Sequence, residues 1–90
     1  MKLTLLVRAY CHLCDEMREA LAPLAAARGA TVTLVDVDAN PALEAAWGDW
    51  VPVLFAGDPA PTTELCHYRL DAARVEAALA GALASEPKIR

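Results

Sequence analysis

The sequence predicts an α/β fold: a mixed four-stranded sheet flanked by helices, in the order β-α-β-α-β-β-α. Three observations carry the prediction. Short apolar or β-branched runs alternate with segments whose apolar residues recur at helical spacing. Cap and stop residues punctuate the helical segments. The last two strand-like runs are joined by a turn-rich loop instead of a helix.

The elements follow in order. Leu3 to Ala9 is a nearly continuous apolar run, the pattern of a central strand buried on both faces. From His12 to Arg28 the period changes, with Leu13, Met17, Ala20, Leu21 and Leu24 at helical spacing. Pro23 is expected to bend that helix or end its regular part, and Gly29 to stop it. Thr31 to Val37, "TVTLVDV", is β-branched and reads as a strand. Asn40 then supplies a cap, and Pro41 a first helical residue, for a short helix through Ala46. Val51 to Ala56, "VPVLFA", is the third strand, "GDPAPTT" a loop, and Glu64 to Tyr68 a short fourth strand. Asp71 caps a last helix with Val75, Leu79 and Leu83 on one face. A tail over residues 84–90 is expected to fray. The first half is a βαβ unit, so its two strands should be parallel with a right-handed crossover. The last two strands should form an antiparallel hairpin.

Ninety residues make a single domain, 1–90, with one modest core. At 57% apolar and 22% charged residues the chain is globular and not disordered. A net charge of −4 and the lack of a Lys/Arg cluster argue against a nucleic-acid partner. No apolar run is long enough to span a membrane. "MKLTLLVRAY" has no small-residue cleavage pattern after it, so the expected location is cytoplasmic. Three cysteines are an odd number and poor material for a disulfide framework. In a reducing compartment, two close thiols point to catalysis or to metal.

Those two thiols are Cys11 and Cys14, where a buried strand hands over to a helix. A helix N-terminus has unpaired N–H groups and the positive end of its dipole, and both favour an anion. A thiol there loses its proton more easily than the free group, whose pKa is about 8.5. Cys14 lies in the first turn on the same side and can reach Cys11 to close a disulfide. Cys11 is then the exposed nucleophile and Cys14 the more buried resolving thiol. Arg8 adds a positive neighbour, against which Asp15 and Glu16 work. His12 is an exposed residue whose identity tunes the potential. A metal site is the other reading. Cys66 and His67 have the right ligand types to join the pair around zinc, but neighbours on a strand point to opposite faces. An iron–sulfur cluster shared between protomers would use the same thiolates. Taken alone, Cys66 reads as a buried or half-buried strand residue. Trp47 reads as core, and Trp50 equally as core or as a substrate-facing platform.

With these motifs in this order, the chain resembles the glutaredoxin-like branch of the thioredoxin superfamily, from Lys2 to about Ala84. "RAYCHLC" is similar to that family's active-site start. "VPV" at Val51 to Val53 is similar to its cis-proline strand, and "LCHYRLD" to its passage from last strand to last helix. The set looks most like small bacterial glutaredoxin-like proteins. The resemblance implies a thioredoxin-like fold of glutaredoxin type and a thiol–disulfide oxidoreductase with no bound cofactor. Cys11 resembles the nucleophile, Cys14 the resolving cysteine, and Pro52 the cis-proline. Val51 resembles the residue whose backbone pairs with an extended substrate chain. Arg8, Trp50 and Asp71 complete the expected substrate-binding set. The chain is expected to be a monomer whose partner is a protein disulfide or redox protein, with glutathione or thioredoxin reductase returning the electrons.

Two departures bear on specificity. Glutathione-using members carry a polar Thr where this chain has Trp50, and a Gly-Gly pair where it has Tyr68 and Arg69, although Asp71 fits the acidic position. Side chains fill the space that glycines leave open. Activity on protein disulfides is therefore expected to exceed activity on glutathione. The alternative is a non-catalytic member of the fold that binds metal or a partner protein.

Overall fold

Leu3, Leu5 and Leu6 of strand β1 (Lys2–Val7) are fully buried. A central strand needs a neighbour on each edge and a packed layer over each face, and the computed structural model, which describes residues 1–85, supplies both. β1 runs parallel to β2 (Thr31–Asp36) and antiparallel to β3 (Val53–Ala56), and β3 pairs antiparallel with β4 (Glu64–His67). The sheet order is β2-β1-β3-β4. Three helices, α1 (His12–Ala27), α2 (Pro41–Trp47) and α3 (Ala72–Ser85), complete the expected order. Two 3₁₀ turns not foreseen in the sequence, Val37–Ala39 and Gly48–Trp50, flank α2.

Strand alternation sorts the core into two layers. Leu3 and Leu5 of β1 and Leu54 of β3 meet Met17 and Leu21 of α1 and Val75 and Leu79 of α3. Leu6, Val53 and Phe55 face the other way, toward Leu43 and Trp47 of α2. Trp47 sets its ring edge-on to Phe55 at 5.0 Å, so it is core, as expected. The β3–β4 register slips between Leu54 and Phe55. That irregularity lets neighbouring Leu65 and Cys66 both pack against the α1–α3 layer.

Helix ends follow their residues. Gly29, at φ 66, closes α1, with its N–H on Ala26 O and the N–H of Ala30 on Ala25 O. Asn40 accepts from Leu43 N at 3.3 Å, and Asp71 from Arg74 N at 3.1 Å. Pro23 does not end α1, which continues to Ala27. Leu21 and Ala25, buried on either side of it, hold the helix to the core while Pro23 faces outward.

The strands are shorter than the apolar runs. β1 stops at Val7, before a turn in which Tyr10 takes φ 58. β2 stops where Asp36 caps the first 3₁₀ turn, accepting from Asp38 N at 2.9 Å. β3 begins at Val53, after a cis Val51–Pro52 peptide whose proline has no N–H for the ladder. β4 ends at His67, because Tyr68 turns to φ 65. Among the described residues, no helix is long and apolar enough to cross a membrane. The Leu83 side chain and the tail beyond Ser85 lie outside the described residues.

Candidate active site

Strand register gathers the site at one end of the sheet. Leu6 pairs with Val53, and Val53 with His67. The residues just beyond those pairs are the Arg8–Cys11 turn, the Val51–Pro52 segment and Tyr68. The Tyr68 N–H closes this edge on Pro52 O at 2.9 Å.

Cys11 is the N-cap of α1, with extended φ −117 and ψ 104. Its Sγ accepts a hydrogen bond from Cys14 N at 3.1 Å, in the way a cap oxygen would. Cys14, one turn on, is buried, whereas Cys11 is half-exposed. The two are joined as a disulfide with Cα atoms 5.2 Å apart. Of the two sulfur-bearing residues, Cys11 is thus the one open to solvent and Cys14 the one shielded from it. On the Cys14 side lies a cleft of 260 Å³, bordered by Arg8, Asp15, Arg18 and Asp36.

Arg8 is committed to the protein. Its guanidinium donates to Asp38 at 2.9 Å, to Glu44 at 3.4 Å and to Gly48 O at 3.3 Å. The Asp38 hydrogen bond, with smaller help from Glu44, raises its pKa and keeps it charged. It thereby ties the end of β1 to α2 and to both 3₁₀ turns.

The far rim is aromatic. The Trp50 ring lies 5.1 Å from His67 and 5.9 Å from Tyr68, and His67 lies 5.0 Å from Tyr68. The Tyr68 hydroxyl donates to Asp49 O at 2.9 Å, and His67 Nδ1 lies 2.7 Å from Glu64 Oε2. Trp50 and Tyr68 remain 46% and 41% exposed, so Trp50 is not a core residue. Arg69 reaches Glu16, in the first turns of α1, at 3.7 Å. Asp71 is occupied as the α3 cap.

Cys66 and His67 diverge. Cys66 packs on the α1–α3 layer, where burial pushes its thiol pKa up, while His67 turns out to Glu64. Among the described residues, no cluster of three or more His, Cys, Asp or Glu could hold a metal ion. The sequence reading missed Tyr10, fully exposed beside Cys11, and the part of His67 in the aromatic rim. No sequence signal marks either, because both depend on left-handed backbone at a tyrosine and on cross-strand register.

Residues 2–80 match the family described as Glrx-like, a glutaredoxin-like domain (DUF836). No curated protein matches the chain. Among solved structures, the chain is similar to protein Ne2328 from Nitrosomonas europaea. The identity is 37%, the coverage 84% of this chain and 87% of that one, and the TM-score 0.72. It is also similar to protein XcR50 from X. campestris, at 42% identity, 88% and 96% coverage and a TM-score of 0.64. Thioredoxin 1 from Thermosipho africanus TCF52B, at 19% identity, 98% and 100% coverage and a TM-score of 0.66, shows the shared fold alone. The chain therefore belongs to the glutaredoxin-like domain family, and it shares the thioredoxin fold.

Proposed function

We propose that the protein is a thiol–disulfide oxidoreductase acting on protein disulfides more than on glutathione. The observation that carries this reading is the Cys11 sulfur at the N-cap of α1, accepting the Cys14 N–H beside a buried partner thiol. In the reduced protein that N–H and the helix end stabilise the Cys11 thiolate. The thiolate attacks one sulfur of a substrate disulfide. A Cys11–substrate bond forms, the substrate S–S bond breaks, and the released thiolate takes a proton from water. Cys14 then loses its proton and attacks Cys11, closing the disulfide and releasing the second substrate thiol. Two electrons pass from the dithiol to the substrate. Glutathione or a reductase returns them in a reducing cytoplasm.

Val51 lies outside the β3 ladder, next to Pro52, and supports an added extended chain. Tyr68 and Arg69 fill the positions that glycines occupy in glutathione-using relatives, and the cleft they border measures only 140 Å³. The test is trapping. Cys14→Ser should accumulate a mixed disulfide with substrate, and Cys11→Ser should be inactive. Reductase activity retained in Cys11→Ser would overturn the roles.

A further inference from the structure

We propose that the free edge of β2 pairs with the same edge of a second copy of this chain, antiparallel across a twofold axis at Thr33. Two four-stranded sheets become one continuous sheet, in place of the monomer expected from the sequence.

The two edges of the sheet differ in how they are guarded. At one edge, β4 is four residues long and carries the charged pair of Glu64 and His67. Its register with β3 slips, and Arg74 donates to the Glu64 carbonyl at 3.4 Å. Short length, charge, irregularity and cover are the features that blunt an edge. β2, at the other edge, has none of them. It is six residues long, "TVTLVD", in unbroken register with β1, with no Lys, no Pro and no charge before Asp36.

The backbone of β2 shows what that edge offers. Thr31 N–H donates to Met1 O, so alternation turns the polar groups of Thr31, Thr33 and Val35 toward β1. The N–H and C=O groups of Val32 and Leu34 therefore point away from the sheet, where the strand order ends. Beside them, Val32 and Leu34 line an open apolar groove of 190 Å³ with Arg18, Leu21 and Ala22 of α1. Leu34 is 44% exposed there, far from the aromatic rim.

This edge is complementary to itself. Paired residues of antiparallel strands share a face, so a twofold axis normal to the sheet must pass through one residue. Centred on Thr33, Val32 exchanges both its hydrogen bonds with Leu34 of the second copy, and Leu34 with Val32. All the outward groups of the two residues are then paired. On the α1 face each Leu34 lies against the other copy's Val32 and closes its groove. Thr33 faces Thr33, a favourable cross-strand pair. Centring on Leu34 would set Val37 opposite Thr31, but Val37 is fully buried in its 3₁₀ turn. Charge agrees with the antiparallel sense. Asp36 of one copy falls beside Ala30 of the other, two residues from Arg28, and the two Asp36 carboxylates lie at opposite ends.

The test is self-association of the full chain in dithiothreitol, which removes any crosslink through Cys66. One strand edge buries less than the about 1,600 Å² of a standard interface, so the dimer should dissociate at roughly 10–100 µM. Sedimentation should show the mass rising from one chain toward two across that range. Between about 50 µM and about 1 mM protein, exchange of the Val32 and Leu34 amide hydrogens should slow about three- to fourfold by mass action. The Thr33 and Val35 amides, held by β1, should stay slow at both. Leu34→Lys puts a charge in the groove, and Thr33→Glu sets two like charges across the axis. Each should keep a single-chain mass and fast Val32 exchange at about 1 mM, with its melting at low concentration unchanged. A single-chain mass for the parent at about 1 mM would overturn the proposal. So would a dimer that persists in either variant, or one in which Val32 and Leu34 exchange as fast as in the dilute protein.

Discussion

Tyr68 holds a left-handed backbone, φ 65, in a residue with a Cβ. Replacing it by Gly and by Ala separates that strain from everything else the side chain does. Both variants lose the hydroxyl bond to Asp49 O and the ring contacts with Trp50 and His67, so both should be less stable than the parent. They differ by one Cβ. In the left-handed region that Cβ costs about 1–2 kcal/mol. Glycine gives back about 0.4–1 kcal/mol through its extra freedom in the unfolded chain. The net expectation favours Gly by about 0.5–1 kcal/mol, opposite in sign to the preference for Ala in regular structure. A domain of this size gains about 4–8 °C in Tm per kcal/mol, so Tyr68→Gly should melt about 2–8 °C above Tyr68→Ala. The assay is thermal unfolding of both variants with the disulfide kept oxidised. An alanine variant as stable as the glycine one would refute the reasoning, because it would mean that position 68 relaxes out of the left-handed region.

Four further outcomes are expected. Changing Tyr68 and Arg69 together to Gly should raise turnover of a glutathione mixed disulfide. Wild-type turnover already at the rate of glutathione-using glutaredoxins would show that the glycines are dispensable. In the reduced protein, Cys11 alkylation should inflect below the free-thiol value of about 8.5. Cys66 is shifted the other way by burial, so it holds its proton longer and its alkylation should inflect above that value; early reaction of Cys66 would contradict its packing. Leu79→Ala removes a side chain that is 2% exposed between α3 and the sheet. By analogy with buried Leu→Ala changes it should cost about 2.7–5.0 kcal/mol, read as a lower urea midpoint at unchanged slope; a loss under about 1 kcal/mol would contradict the burial.

Element types and their order were legible because each rests on local chemistry. The Asn40 and Asp71 caps and the Gly29 stop act within a few residues of themselves, and the structure uses all three as read. Strand ends were less legible. The apolar runs continue past Val7 and begin before Val53, but pairing ceases where the backbone turns at Tyr10 and at the cis Val51–Pro52 peptide. Composition does not encode those turns. Pro23 does not end α1: burial on both sides of it carries the helix on to Ala27. The cysteine pair was legible through its spacing and its place at a helix start. The aromatic rim was not, since His67 and Trp50 meet only through the pairing of Val53 with His67.

Arg8 is where the distinction bears on mechanism. In the sequence it stands three residues before Cys11 and reads as a cation for the thiolate. In the fold, its two terminal nitrogens donate to Asp38, Glu44 and Gly48 O. A charge paired with two carboxylates at that range has little field left for a third group. Stabilisation of a Cys11 thiolate then falls to the fixed dipoles at the start of α1, above all the Cys14 N–H already directed at the sulfur. Those dipoles need no ion to hold them in place. The arginine acts instead through position. By gripping Gly48 it ties the end of β1 to the turn that leads into Val51 and Pro52. The turn so held carries Trp50, so on the proposed reading the Cys11 sulfur and the segment that would receive a substrate chain share one anchor.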